Sequence, residues 1–343
     1  MSNDPVSQAR GHGFGTAPVF LAAISTILGA VLFLRFGYAV GHVGMLGALA
    51  IILIGHAITI PTGLAVAEIA TNLKVEGGGE YYIISRSFGT TVGGAIGISL
   101  YVSQAVSVAF YLIAFAEAFR PLFPWFEAQT GIAPDARMIS VPFAIVLLAV
   151  LLWRGANLGV GVLWAVASVL TLSLVMFFIG QPEQTPDVLD LNARVEDPQS
   201  FIRVFAIVFP AFTGMTAGVG LSGDLRNPRR SIPLGTLAGT LTGMAVYILV
   251  VFKLGASATP EQMAGNTFVM SDIAAWGPII PIGLGAACLS SAIGSVLVAP
   301  RTLQALAGDG VFPSARANRL VSAGRGEANE PVNATLVTAV IAL

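Results

Sequence analysis

The sequence predicts an all-α polytopic membrane protein, and three observations carry that prediction. Hydrophobic residues fill 55% of the 343 positions and charged residues only 10%, with a mean hydropathy of +0.82. The apolar residues gather in runs of about 20, the length a bilayer crossing demands. Two runs, the first and the sixth, are broken by glycine, proline and hydroxyl residues, at the matching places that two inverted repeats of five helices would give them. An ordinary soluble domain is about 25% charged. The composition therefore excludes a soluble enzyme, a disordered chain and a nucleic-acid binder. A net charge of -1 supplies no basic field. A single cysteine, Cys288, excludes a disulfide framework, and His12, His42 and His56 lack ligand spacing.

Eight spans follow in order: Ala17–Val40, Met45–Ala70, Val92–Phe119, Ile139–Trp153, Ala156–Gly180, Phe201–Leu221, Pro233–Phe252 and Ile273–Val298. The fourth is the shortest. A ninth opens after Pro331 and has run about twelve residues at Leu343, where a crossing needs about 20. The expected organisation is a cytoplasmic tail over residues 1–16, a first repeat of helices 1–5 over 17–180 and an extracellular loop over 181–200. An incomplete second repeat follows over 201–343, with helices 6–8 and the start of helix 9. No cleavable signal peptide is legible in the first sixteen residues, so the first span is expected to act as a signal anchor. With the N-terminus inside, inner segments hold eleven Lys and Arg and outer segments five. That bias supports a multi-pass cell-membrane protein with a cytoplasmic N-terminus. The acidic stretch Gln181–Ser200 is then expected to be a solvated outer loop.

The first span is broken at Ser25-Thr26-Ile27-Leu28-Gly29-Ala30, the sixth at Pro210-Ala211-Phe212-Thr213-Gly214-Met215-Thr216-Ala217-Gly218-Val219-Gly220. Proline removes an amide and clashes with the preceding turn, and glycine eases departure from helical geometry. Unpaired backbone survives in hydrocarbon only where it lines a polar cavity or a ligand. Freed carbonyls bind cations, and restarting helix N-termini bind anions. Glu68 and Glu117 sit near span ends, so no carboxylate falls at either break, which argues against a carboxylate proton relay. His56 reads as a packed polar residue bonded within the bundle. No P-loop is present: Gly77-Gly78-Gly79 is followed by no Gly-Lys-Ser/Thr. A channel is disfavoured without a filter repeat or charge ring, and an enzyme without a catalytic constellation.

Four stretches resemble the cation–chloride cotransporter family of the amino acid–polyamine–organocation superfamily. They are Ile27 to Arg35, Gly77-Gly78-Gly79-Glu80-Tyr81-Tyr82-Ile83-Ile84-Ser85-Arg86-Ser87, Ser222-Gly223-Asp224-Leu225 through Ser231-Ile232-Pro233, and Ala299-Pro300-Arg301-Thr302-Leu303-Gln304-Ala305-Leu306. The last two are the more specific. The resemblance implies a LeuT-like inverted five-plus-five fold with broken helices 1 and 6, in a prokaryotic-type member. It implies a sodium site at Ser25, Leu28, Ala287, Ser290 and Ser291. Potassium would lie at Thr26, Ile27, Tyr111, Pro210 and Thr213. Chloride would lie at Gly29, Ala30 and Val31, and again at Gly214, Met215 and Thr216. Thr26 stands where the family usually has asparagine, and the Ser290-Ser291 pair tilts towards a sodium-using branch. The Gly-Ser-Gly opening of amino-acid permeases is missing. Ser290 and Ser291 also read as small residues easing helix contact, Tyr111 as aromatic packing, and Cys288 as small packing.

The expected activity is symport of Na+ and/or K+ with Cl- by alternating access, with no cofactor. The alternative is an amino-acid or other organic-solute permease on the same fold. Expected partners are the lipid bilayer and the transported ions or solute, with a homodimer allowed and no nucleic acid.

Overall fold

A computed structural model describes residues 15–72, 79–154, 160–182, 189–215, 217, 225–326 and 329–342. Among these, regular structure is helical apart from isolated bridge positions, of which Arg325 and Glu330 pair with each other.

The first predicted break is present. Helix α1 (Ala17–Ile27) stops where Leu28 turns to φ -81° and ψ 50°, and α2 (Ala30–Asn72) restarts two residues later. Helix α2 holds the rest of the first span and all of the second. They are divided at Gly44, whose φ of 72° is a left-handed conformation that a side chain would strain. Gly44 also lies against the Asn192 backbone, where a Cβ would stand 3.3 Å away.

The described part of the acidic segment is mostly exposed, yet it does not hang free. Its described part is laid onto the α2 turn: Leu46 N–H donates to Leu191 O (3.1 Å), Val195 N–H to Gly41 O (3.0 Å) and Gln199 N–H to His42 Nδ1 (3.2 Å). Unmade amides on both segments find each other, as buried backbone must.

Helix α3 (Glu80–Glu117) is divided at Gly89 (φ 82°), which separates an arm over residues 80–88 from the third span. A 3₁₀ turn (Arg120–Leu122) and α4 (Phe123–Thr130) lead to α5 (Arg137–Arg154), whose Phe143 stacks on Phe115 at 3.8 Å. Helix α6 (Val160–Ile179) follows. The sixth span is broken as predicted. Helix α7 (Phe201–Val208) gives way to a 3₁₀ turn (Phe209–Phe212) that contains Pro210, and residues 216 and 218–224 lie outside the described part.

The last spans depart from the sequence reading at their ends. Helix α8 (Pro228–Ser257) starts five residues before Pro233 and carries that proline inside it. Two short helices, α9 (Pro260–Gly265) and α10 (Val269–Ile273), precede α11 (Ile279–Gly308). The eighth span therefore begins after Gly277-Pro278 rather than at Ile273, because that dipeptide punctuates the apolar run. It also continues through Pro300 to Gly308. Ala299–Leu306 is thus helix, not the stretch after it. Helix α12 (Ala315–Ser322) and helix α13 (Val332–Ala342) complete the described chain.

Among the described residues, five helical stretches are long and apolar enough to cross a membrane, accompanied by four shorter apolar helices, two of which are the broken pieces α1 and 201–212. Leu53, Ile58, Val106, Ile113 and Leu249 stand exposed on α2, α3 and α8. Such surface suits hydrocarbon, and with the long apolar helices it makes the protein a multi-pass membrane protein. The largest of four apolar clusters among the described residues draws on α1, α2, α6, α7, α8 and α11 and reaches both breaks.

Candidate functional site

The two breaks meet. Gly214 lies against the end of α1, where a Cβ would stand 2.8 Å from Ile27 N and 2.9 Å from Thr26 Cβ. Only a residue without a side chain lets the two interrupted backbones approach this closely. Leu28, Ala30, Val31, Phe212, Ala287 and Cys288 share one buried cluster around this point.

Helix α8 positions α1 against the break. Gly235, Gly239 and Gly243 recur every fourth residue, and each packs on α1, at Val19, Ala23 and Ile27 respectively. Small residues at this spacing bring membrane helices into backbone contact. Tyr247 is the next residue of the same stripe. Its phenol is fully buried and donates to Ile27 O at 2.6 Å. Its ring stacks on Phe36 at 4.4 Å and meets Phe212 edge-on at 5.3 Å. Tyr247 was missed from sequence, although Gly-x-x-x-Gly-x-x-x-Gly-x-x-x-Tyr was there to be read.

Of the residues that the resemblance implies for sodium, Ser25 and Leu28 are buried on α1, and Ala287 and Ser291 on α11, which packs against it. Ser290 is half-buried. The Ser25 hydroxyl donates to Ala22 O at 3.3 Å. Ser291 Oγ is buried and makes no full hydrogen bond. The Tyr111 phenol lies close enough to Ser291, Cys288 and Tyr247 to interact with all three electrostatically.

The groups implied for potassium are largely engaged already. The Thr26 hydroxyl donates to Ala22 O at 2.9 Å, Ile27 O accepts from Tyr247, and the Thr213 hydroxyl donates to Pro210 O at 2.8 Å. Ile27 O keeps one free lone pair, whereas Pro210 O also accepts from Thr213 N–H at 3.3 Å and Ala22 O from the Ser25 hydroxyl at 3.3 Å.

Of the groups implied for chloride, Gly29, Ala30 and Val31 form the buried restart of α2, whose first amides have no intrahelical acceptor. Gly214 and Met215 are buried at the second break, and Thr216 lies outside the described residues.

A second polar cluster lies at the start of α3 and the end of α11. Tyr81 OH donates to Asp309 Oδ2 (2.8 Å), and Arg86 reaches both Asp309 oxygens (3.2 and 3.4 Å) from above the Tyr82 ring. Arg301 pairs with Glu330 at 3.5 Å. Tyr81, Tyr82, Arg86, Arg301 and Asp309 line an open cavity of about 280 Å³. From sequence, Arg301 read only as a topology signal; Asp309 is 223 positions from Arg86, and no local signal links them.

The fold and the paired breaks define a broken-helix membrane bundle. The chain belongs to the amino acid permease family, whose family model matches residues 18–343. It is 31% identical to solute carrier family 12 member 2 of Squalus acanthias over 380 residues, which cover 95% of this chain and 31% of that one. It is 34% identical to solute carrier family 12 member 8 of Mus musculus, over 96% of this chain and 47% of that one. The chain thus spans a third to a half of the length of these curated relatives. Its fold is similar to that of Mhp1, a nucleobase-cation-symport-1 family transporter solved in a closed conformation with bromovinylhydantoin bound. The TM-score is 0.59 at 13% identity, over 100% of this chain and 73% of that one.

Proposed function

We propose that this chain is the substrate-binding part of a secondary transporter that carries Na+ and/or K+ together with Cl- by alternating access. The observation that supports the reading best is the contact of the two breaks at Gly214 and Thr26–Ile27. It brings freed carbonyls and restarting helix N-termini, which suit cations and anions respectively, to one place. Sodium would sit among the carbonyls of Ser25, Leu28 and Ala287 and the hydroxyls of Ser290 and Ser291, an all-oxygen shell of the kind hard cations take. Potassium would use Tyr111, Thr26, the remaining lone pair of Ile27 O, and Thr213 and Pro210 once the Thr213 hydroxyl turns from Pro210 O to the ion. Chloride would take the amides at Gly29–Val31 and Gly214–Thr216.

Neutral oxygens alone leave a bound cation uncompensated, at a cost of roughly 2.5–3.5 kcal/mol near the bilayer centre. Co-bound chloride removes that cost and makes coupling obligatory. The two repeats, 17–180 and 201–343, would rock about this site, with the N-terminus cytoplasmic and 181–200 outside.

One observation favours a second reading. Four of the five groups implied for potassium are already engaged, Thr26 with Ala22 O, Thr213 with Pro210 O and Ile27 O with Tyr247, which suits an organic solute held by fewer polar contacts. The test is tracer uptake into liposomes with rubidium, chloride and amino acids compared. Rubidium uptake that vanishes when gluconate replaces chloride supports the symporter. Chloride-independent uptake of an amino acid moves the assignment to the permease.

A further inference from the structure

Three hydrogen bonds attach the acidic segment to the turn at Gly44, and one of them differs in kind. Leu46 N–H donates to Leu191 O and Val195 N–H to Gly41 O, amide to carbonyl, and neither group titrates. The third bond runs from the backbone N–H of Gln199 to Nδ1 of His42 at 3.2 Å. A backbone N–H only donates, so Nδ1 presents its lone pair and the ring is neutral, with its proton on Nε2. A proton taken up by Nδ1 turns the acceptor into a second donor, and the bond cannot survive it.

The position of this bond gives it a consequence. His42 lies at the end of the helical piece 30–43, the part of α2 between the first break and Gly44. Gln199 stands two residues before α7. Beside it, Ser200 caps α7 by accepting from Arg203 N–H at 3.4 Å, and the Gln199 side chain accepts from Arg203 Nη1 at 2.8 Å. Helix α7 then runs into the 3₁₀ turn at the second break. One half-helix starts at a break and the other ends at one, and the two pack together. The His42–Gln199 bond ties them at the ends away from the breaks.

The surroundings allow both states of the ring. Tyr38, one turn back, meets it edge-on at 4.3 Å. Asp197, in the attached segment, lies close enough to act on it electrostatically, so an imidazolium there has a partner for its charge. The neighbouring helices bring four other charged residues. Arg203 of α7 is held by Gln199, Lys253 of α8 donates to Gly180 O at 2.6 Å, and Asp272 of α10 accepts from Asn266 at 2.6 Å. Glu261 belongs to α9, which packs on Gly41.

We propose that the His42–Gln199 bond is a proton-sensitive latch that fastens the start of α7 to the end of the helical piece 30–43. The neutral ring closes it. The latch is therefore shut above the ordinary histidine pKa of about 6.5 and opens as the pH falls through and below that range. The Leu191 and Val195 bonds persist, so release is confined to Gln199 and the entry to α7. The latch does not depend on which ions or solutes the protein carries.

The experiment is hydrogen–deuterium exchange of the full chain in lipid nanodiscs, resolved to single amides and divided by the free-peptide rate at each pH. It compares about pH 7.5 with about pH 5, on either side of the histidine range. Protection of the Gln199 amide should fall several-fold in acid, while that of the Val195 amide holds. His42→Phe keeps a ring against Tyr38 but removes the acceptor. Its Gln199 amide should exchange at both pH values as fast as that of the unmodified protein in acid. Equal protection of Gln199 at the two pH values in the unmodified protein overturns the proposal. So does a loss of protection in acid that persists in His42→Phe, which would assign it to another group such as Asp197. The first comparison uses the unmodified protein, so failure of the variant to fold cannot shield the idea.

Discussion

The phenol of Tyr247 on α8 donates to the carbonyl of Ile27, the last residue of α1, at 2.6 Å. A helix that stops in an apolar interior must find partners for its final carbonyls, and here a side chain 220 residues away supplies one. The bond ties the broken helix to a continuous one, so α8 holds the break open in a defined shape.

Tyr247→Phe keeps the stacking on Phe36 and removes the donor. It leaves Ile27 O short of a partner, at an expected cost of about 1–3 kcal/mol. A lower midpoint in thermal unfolding of the purified protein measures it, and cation dependence of uptake should shift in the same variant. A midpoint equal to that of the unmodified protein would show that the bond does not support the break.

Gly214→Val places a side chain where Ile27 N and Thr26 already stand, and Gly29→Val presses on Thr26 O, 2.9 Å from the added Cβ. Both variants should lose chloride uptake by at least about tenfold, since about 1.4 kcal/mol of misfit suffices for that factor. Size-exclusion chromatography checks that they remain folded. Folded variants with unmodified uptake would remove the breaks from the site.

Ser291→Ala should separate stability from function. The hydroxyl is buried without a full hydrogen bond, and removing an unsatisfied polar group costs the empty protein nothing and relieves part of a penalty of about 1–3 kcal/mol. The thermal midpoint without sodium should stay level or rise. The stabilisation added by sodium, and the sodium dependence of uptake, should fall. Tyr111→Phe should weaken the same response. Sodium stabilisation undiminished in both would exclude this pair from the site.

Asp309→Asn breaks the charge that Arg86 and Tyr81 share. The Arg86 side chain is 44% exposed and Asp309 18%, so the expected loss of stability is small, about 0–1 kcal/mol as for surface pairs. The consequence to measure is access: a cysteine introduced at Ser322, beside the cavity, should react faster with a maleimide in Asp309→Asn. Equal rates would show that the cluster does not restrict that end of the bundle. Cys288 is buried and leaves the background low.

The breaks were legible because they are written in local composition. Gly29 and Pro210 lower the cost of leaving a helix, and the structure leaves the helix there. The ends of the eighth span were misread for a related reason. Apolar character continues across Gly277-Pro278 and ends near Val298, but the helix obeys the Gly-Pro punctuation at its start and runs on through Pro300, where hydropathy has fallen. Hydropathy reports what the bilayer accepts; backbone geometry decides where a helix begins and stops.

By itself the sequence determined that the chain is membrane-embedded, that two helices are interrupted, and where. Each of those follows from side-chain solvation and backbone preference acting over a few residues. Only the tertiary structure decided which groups meet at the breaks. The stripe from Gly235 to Tyr247 chooses α1 as its neighbour, Gly214 admits Ile27, and Asp309 gathers Tyr81 and Arg86 because distant helices are brought within hydrogen-bond reach. Contact between segments far apart in the chain depends on how whole helix faces pack, and no window of neighbouring residues contains that information.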